Sequence, residues 1–474
     1  FLENVLLLLQ TGCQQQAQDK SASTLKLDFV KTSSFLIGTI ADYFKLDKDG
    51  LGKCVDTLFQ CLETCRNNNG QDTANKMELM LTKSLTSLCK VCRNELTFEL
   101  PNFISILHAM MQPNSPVSYF TREKFFRSMG YIIQSFVESG PEAQGKYIMQ
   151  MVEVIEDGIR VSEGNREHTL CLLTCLSELG SGLICPGEIE NTTYLQHLNQ
   201  FKDFWKSDPL QVRARTINIL QHVLDQYGKD SEFVEVGCLI IGKALPLPDD
   251  EPHFLSYDMG EIMKFMLRYV GSCDLSTCLP YLVNLFEKVV VRYKSTLTFQ
   301  DFDFVFSKFF LDHYQQSIVD DPDLLQVMIN FVNLIMELKP SLAINSAHWS
   351  SFILPEFLKF LPATEKFTIT AITKFWCRVV NNKKFTREDE DVIKSQVLSL
   401  GQQLVFQTLY ASLHTQRSDL QYYTELLRAL VAKYPLQLKP WMLQALPQVH
   451  NNNVAHERLV NKLFVTRGSR AASN

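Results

Sequence analysis

Three stretches of this 474-residue chain carry residue types able to do chemistry. The first holds Gly237, Gly242 and Lys243 at the spacing of a phosphate-binding loop, in which backbone amides cradle an anion and the lysine reaches its outer oxygens. The next residue is Ala244, where a magnesium-bound nucleotide needs a hydroxyl, and Leu239, Ile240 and Ile241 between the glycines suit a buried helix. The second stretch places His168, Cys171 and Cys175 on one helical face. Residues seven apart on a helix are separated by about 10.5 Å of rise, too far to share a zinc ion whose ligands sit about 2.0–2.3 Å from it. The third, Cys89 with Cys92, has redox spacing but lies inside a helical stripe with no βαβ context. There is no HExxH, no nucleophile elbow and no second Gly-rich loop. The expectation is a protein that is not an enzyme and holds no cofactor and no metal.

The elements that would position such groups are helices, repeated. Leu27, Val30, Ser34, Ile37, Ile40, Ala41 and Phe44 follow the helical period, and Asp47 to Gly50 break it. A second stripe runs through Leu51, Val55, Leu58, Leu62 and Cys65 to the next glycine break at Gly70. Stripes of this kind recur in pairs at a spacing near forty-five residues. They read as 77–92 with 103–111, 120–137 with 147–155, 168–179 with 194–205 and 210–227 with 233–245. They continue as 259–270 with 279–293, 302–311 with 324–338, 349–360 with 367–380 and 392–413 with 422–434, and a last pair begins at Pro440. The segment 296–305 alternates like a strand, yet Phe302, Val305 and Phe306 share a helical face, and it is read as helix. A helical hairpin cannot bury its apolar face alone and stacks on its neighbours. The expected fold class is all-α, an α-α superhelix of the HEAT-repeat solenoid kind, with residues 1–474 forming a single continuous array of roughly ten hairpins. Such a stack offers a long recognition surface.

Composition narrows the partners. A net charge of −6 favours neither nucleic acid nor an anionic membrane and suits a basic protein partner. The longest apolar run near the start, Val5 to Leu9, is too short to span a bilayer and reads as a buried helix. Thirteen cysteines, an odd number spread mostly along apolar helix faces, point to thiols used as small core residues in a reducing compartment. A monomer without membrane insertion and without direct nucleic-acid contact is expected. Phe1 at the start and the run from Thr466 to Asn474 at the end read as the ends of an excised piece.

Two acidic clusters are the candidate contacts for a basic cargo or regulator. The segment 245–253 contains three prolines that forbid helix, and it projects Asp249, Asp250 and Glu251 from the regular stack. The run Glu388, Asp389, Glu390 and Asp391 sits at a predicted helix start, where carboxylates also complement the helix dipole.

Several strings, in order along the chain, resemble one family. Residues 74–93, ending in Ser87, Leu88, Cys89, Lys90, Val91, Cys92 and Arg93, resemble the NICSVCRD helix of the transportin-SR and importin-thirteen branch of the β-karyopherins. Residues 29–38 are similar to that branch's TSxxLIG helix, and 400–405 to its LGQQLV string, followed at a comparable distance by the helix of Trp441. Residues 204–210, the Asp249 loop and 465–470 look closest to a fungal member. The resemblance implies a nuclear transport receptor about twice this length, of which this chain is the carboxyl-terminal portion. It would carry protein cargo through nuclear pores, as an importer or as a two-way carrier, and shuttle between cytoplasm and nucleus. It implies phenylalanine-glycine nucleoporins as partners and Ran GTPase as the switch, with the principal Ran site outside this chain. One departure stands out: the branch members that bind phosphorylated arginine-serine domains carry an arginine-rich helix where residues 231–245 offer only Lys243. Cargo of that type is not expected to bind. A static HEAT scaffold presents the same periodicity and is the alternative.

Overall fold

The computed structural model describes residues 2–18, 24–66, 72–112, 115–137, 139–162, 164–185, 192–248, 251–271, 274–450 and 453–465. Among them there are 22 α-helices and no strand. The chain divides into two compact units, Phe1–Ile262 and Met263–Asn474.

The first unit contains α1 (Leu2–Gln18), α2 (Thr24–Thr39), α3 (Lys48–Arg66), α4 (Asp72–Val91), α5 (Leu100–Met110), α6 (Tyr119–Ser135), α7 (Gly140–Val161), α8 (Arg166–Gly182), α9 (Thr192–Ser207), α10 (Val212–Tyr227) and α11 (Ser231–Ile241). Helix α1 packs on α2, α3 on α4, α5 on α6 and α7 on α8. The second helix of each hairpin then stacks on that of the next, giving a row α2, α4, α6, α8, α11. These hairpins run one helix out of step with the pairing expected from the sequence, which joined α2 to α3, α4 to α5, α6 to α7 and α8 to α9. The cause is the turn at residues 47–50. It is not the inside of a hairpin but the start of α3, where Asp47 Oδ1 accepts from the Gly50 amide at 2.9 Å. The additional helix α9 packs on α7, and beyond it the expected pairing is found for α10 with α11 and for α19 with α20.

Neighbouring helices of the row meet through unlike devices. Ser84 Oγ of α4 donates to the Ser34 carbonyl of α2 at 2.6 Å. The Thr82 and Thr121 hydroxyls of α4 and α6 lie 2.9 Å apart. Between α6 and α8 the backbones touch at Gly130 and Gly182, leaving no room for a side chain on either. Between α8 and α11, Lys243 Nζ, just past the end of α11, donates to Ser181 Oγ at 3.0 Å.

Helix α12 (Met259–Val270) carries the boundary between the units. The second unit continues with α13 (Leu275–Arg292), α14 (Phe299–Phe309), α15 (Pro322–Leu338), α16 (Pro340–Ile344), α17 (Leu354–Lys359), α18 (Lys366–Val380), α19 (Arg387–His414), α20 (Leu420–Lys433), α21 (Pro435–Val449) and α22 (Asn453–Val465). One row stacks α13, α15, α18 and α20; the other runs α14, α16, α19 and α21. The strand-like segment is helical, as expected, and Thr298 closes a capping box with Asp301 at the start of α14. The core gathers phenylalanines: the Phe331 ring lies 5.1–6.5 Å from those of Phe286, Phe302, Phe306, Phe309 and Phe310. Gly401 of α19 lies beneath the Trp441 indole of α21, so close that an added Cβ would sit 2.2 Å from the ring.

Candidate partner-binding surface

The proline-rich loop is better anchored than its sequence implies. Asp249 and Asp250 lie outside the described residues. Glu251 is half-buried, and its Oε1 accepts from the Cys185 amide, just beyond the end of α8, at 2.8 Å. A carboxylate expected to project is therefore held against the first unit. Two residues on, His253 is buried: its Nε2 meets the Gly180 carbonyl at 2.9 Å and its Nδ1 meets the Leu255 amide at 3.1 Å. Nδ1 must accept from that amide, so Nε2 carries the proton and the ring is neutral. Burial pushes its pKa down to about 4.

The second cluster forms the first turn of α19, as expected. Thr386 caps the helix, and Asp389 Oδ2 accepts from the Thr386 amide at 3.0 Å and from Ser341 Oγ of α16 at 2.8 Å. Asp389 is 2% exposed and serves the fold. Glu388, Glu390 and Asp391 remain exposed, with Glu390 3.3 Å from Lys433 Nζ. Four residues adjacent in sequence thus separate into one internal cap and three surface charges. Glu251 belongs to the other unit.

On the row of the first unit, α6 and α8 share a charged cluster with no signal in the sequence. Glu178 of α8 pairs with Lys124 Nζ at 3.1 Å and with Arg127 Nε, both from α6. Glu123, one residue before Lys124, is half-buried; desolvation, with the Glu178 charge adding to it, raises its pKa to about 7. Lys124, Arg127 and Glu178 come together only because the glycine contact between α6 and α8 draws the helices close. The spacing of 51 residues or more between them carries no periodic mark.

A cavity of about 780 Å³ opens where hairpin α5/α6 meets hairpin α7/α8. Its walls come from the end of α5, residues 115–118, the first turn of α6, the end of α7 and the start of α8. His168, from the cysteine-bearing face noted in the sequence, lines it, with the ring 5.9 Å from that of Tyr119. Burial, and then the Arg122 charge, hold the His168 pKa below its usual value. Cys171 and Cys175 point elsewhere, into the packing of α8, with their sulfurs 4.0 Å apart. Gly237 and Gly242 are buried, the former inside α11, so the phosphate-loop spacing is an accident of helix packing.

These hairpins lie within the residues that match a family model. Residues 1–183 match the family described as "Importin beta-like KAP122 middle domain". That span ends one residue beyond α8. No curated protein sequence matches the chain. Among solved structures the fold is similar to one titled "Importin13 cytosolic state", with a TM-score of 0.67 over 99% of this chain and 13% identity. The chain spans about half the length of that structure, 51%. The importin-like solenoid fold is thereby established for the whole chain, and the sequence relationship for its first 183 residues.

Proposed function

We propose that the chain forms part of a karyopherin-type nuclear transport receptor of the transportin-SR and importin-thirteen branch, nearest its fungal members. The observation that carries this reading is the family match over residues 1–183, which covers α1 to α8 and therefore four consecutive stacked hairpins. On this reading the receptor carries protein cargo through nuclear pores, contacts phenylalanine-glycine nucleoporins and is switched by Ran in its GTP form, with import as its main direction. The architecture supports such a switch physically. Each hairpin rests on its neighbours, so small shifts at successive seams add up, and a ligand on one stretch alters the surface presented by another. A coupling of about 1–3 kcal/mol would change cargo affinity roughly 5- to 150-fold between compartments.

The deciding experiment immobilises the intact receptor, captures proteins from a nuclear extract and adds excess GTP-locked Ran. Release of captured proteins is the expected result; capture that increases instead assigns export. Indifference to Ran would overturn the transport reading in favour of a static scaffold.

A further inference from the structure

The row of the first unit carries a basic face on an acidic chain. Helix α4 sets Lys76, Lys83 and Lys90 on a single stripe, seven residues and about 10.5 Å apart. The stripe lies opposite the buried Leu81, Leu85 and Leu88. It runs between the side that meets α2, through Ser84 and Ser87, and the side that meets α6, through Thr82 and Thr86. All three lysines are exposed, and neither Lys83 nor Lys90 has a counter-charge among the described residues. The matching stripe of α6 is Phe120, Lys124, Arg127 and Tyr131, half-buried residues opposite Phe125 and Met129. Lys124 and Arg127 share a single paired carboxylate, Glu178. Lys124 Nζ lies 5.6 Å from the Phe120 ring centroid, and the Arg93 guanidinium, just past the end of α4, lies 5.1 Å from that of Tyr131. Where both helices begin, a hollow of about 370 Å³ opens between Leu79 and Phe120, with Asn75 and Lys76 beside them. Glu78 also lines it, its Oε1 accepting from the Ser118 amide at 3.0 Å and from the Ser118 hydroxyl at 2.6 Å.

We infer that this face docks an acidic segment of a partner protein, with its carboxylates on Lys83 and Lys90 and one large apolar side chain in the hollow between Leu79 and Phe120. Exposed ion pairs hold little by themselves, so the hollow fixes the segment and the lysines select its charge. A protein segment is favoured over a nucleic acid because the basic face is narrow: Glu167 of α8 and Glu235 of α11 stand exposed farther along the same row. A nucleic acid carries a charge at every nucleotide and would meet those carboxylates. A protein segment can confine its acidic residues to the width of α4 and α6. This assignment stands on those two helices and does not depend on the transport reading. It reverses locally the preference for basic partners that the net charge of −6 dictates for the chain as a whole.

The test titrates the full chain into a fluorescein-labelled, amidated peptide with a phenylalanine at each end and glutamates alternating with alanines between them, and reads anisotropy. Its glutamine twin and an oligothymidylate of equal charge run in parallel. The glutamate peptide should bind saturably, about tenfold or more tighter than the glutamine twin, and less tightly as salt is raised. Lys83→Glu together with Lys90→Glu should weaken it about tenfold or more. The same charge change at Lys374 and Lys394, exposed on α18 and α19, should leave affinity within about twofold. Both pairs lie on the surface, so matching unfolding temperatures separate a lost contact from a lost fold. Phe120→Ala should weaken binding several-fold while keeping the preference for glutamate over glutamine. The absence of saturable binding, equal affinity for the glutamate and glutamine peptides, tighter binding of the oligothymidylate, the same loss in both lysine pairs, or indifference to Phe120→Ala would each overturn the assignment.

Discussion

Gly130 of α6 and Gly182 of α8 meet backbone to backbone: a Cβ on Gly182 would lie 2.8 Å from the Gly130 Cα and 2.3 Å from the Arg127 carbonyl oxygen. Neither obstacle is a flexible side chain, so the helices themselves would have to part. Gly182→Ala is expected to destabilise the first unit by about 1–3 kcal/mol and to loosen the pairing of Glu178 with Lys124 and Arg127. Gly52, inside α3, has open space around its Cα. Gly52→Ala should therefore stabilise, by about 0.5–1 kcal/mol. Urea denaturation of the two variants checks both the sign and the contrast.

His253 makes the first unit sensitive to acid. The folded ring resists its proton down to about pH 4, whereas the unfolded ring takes it near 6.5. Between those values the unfolded state binds more protons, so stability is complete above pH 6.5 and is lost as the pH falls toward 4. The loss attributable to this ring is about 3 kcal/mol. Subtracting the pH profile of His253→Gln from that of the parent isolates it. Parallel profiles would mean that the ring takes up its proton in the folded protein at the same pH as in the unfolded chain.

Glu123 acts in the opposite direction. Its carboxyl keeps its proton to about pH 7 in the fold but releases it near 4.5 when unfolded. In that window the folded state binds more protons, so this group favours the fold at low pH and its contribution declines as the pH rises through 7. Glu123→Gln should flatten that part of the profile and raise stability at pH 8, read again by denaturant unfolding at stepped pH.

The acidic turn of α19 should separate stability from recognition. Asp389→Ala removes a cap and its bond to Ser341, an expected loss of about 1–2 kcal/mol. Changing Glu388, Glu390 and Asp391 together to lysine should leave the unfolding temperature within a few degrees. If the turn contacts a basic cargo, the triple variant alone will lose capture of it from extract, while Asp389→Ala retains capture at temperatures where it is folded.

Helices were easy to foresee and their partners were not. The stripe from Leu27 to Phe44 announces α2 because apolar burial sets a 3.6-residue period, but a short polar connection looks the same whether it turns within a hairpin or leads to the next one. Asp47 resolves the ambiguity only through its bond to the Gly50 amide, which is a matter of geometry. For similar reasons the acidic residues at 388–391 were visible as a cluster, while the internal role of Asp389 depends on Ser341, 48 residues earlier.

The seams of the first unit differ from one another: paired hydroxyls at Thr82 and Thr121, facing glycines at Gly130 and Gly182, an ammonium on Ser181. If the array arose by copying one hairpin, its joints have since become a set of individual locks. Excising, duplicating or transposing a hairpin would set a hydroxyl against a glycine or a lysine against a threonine, so the order of the hairpins is written into the joints themselves.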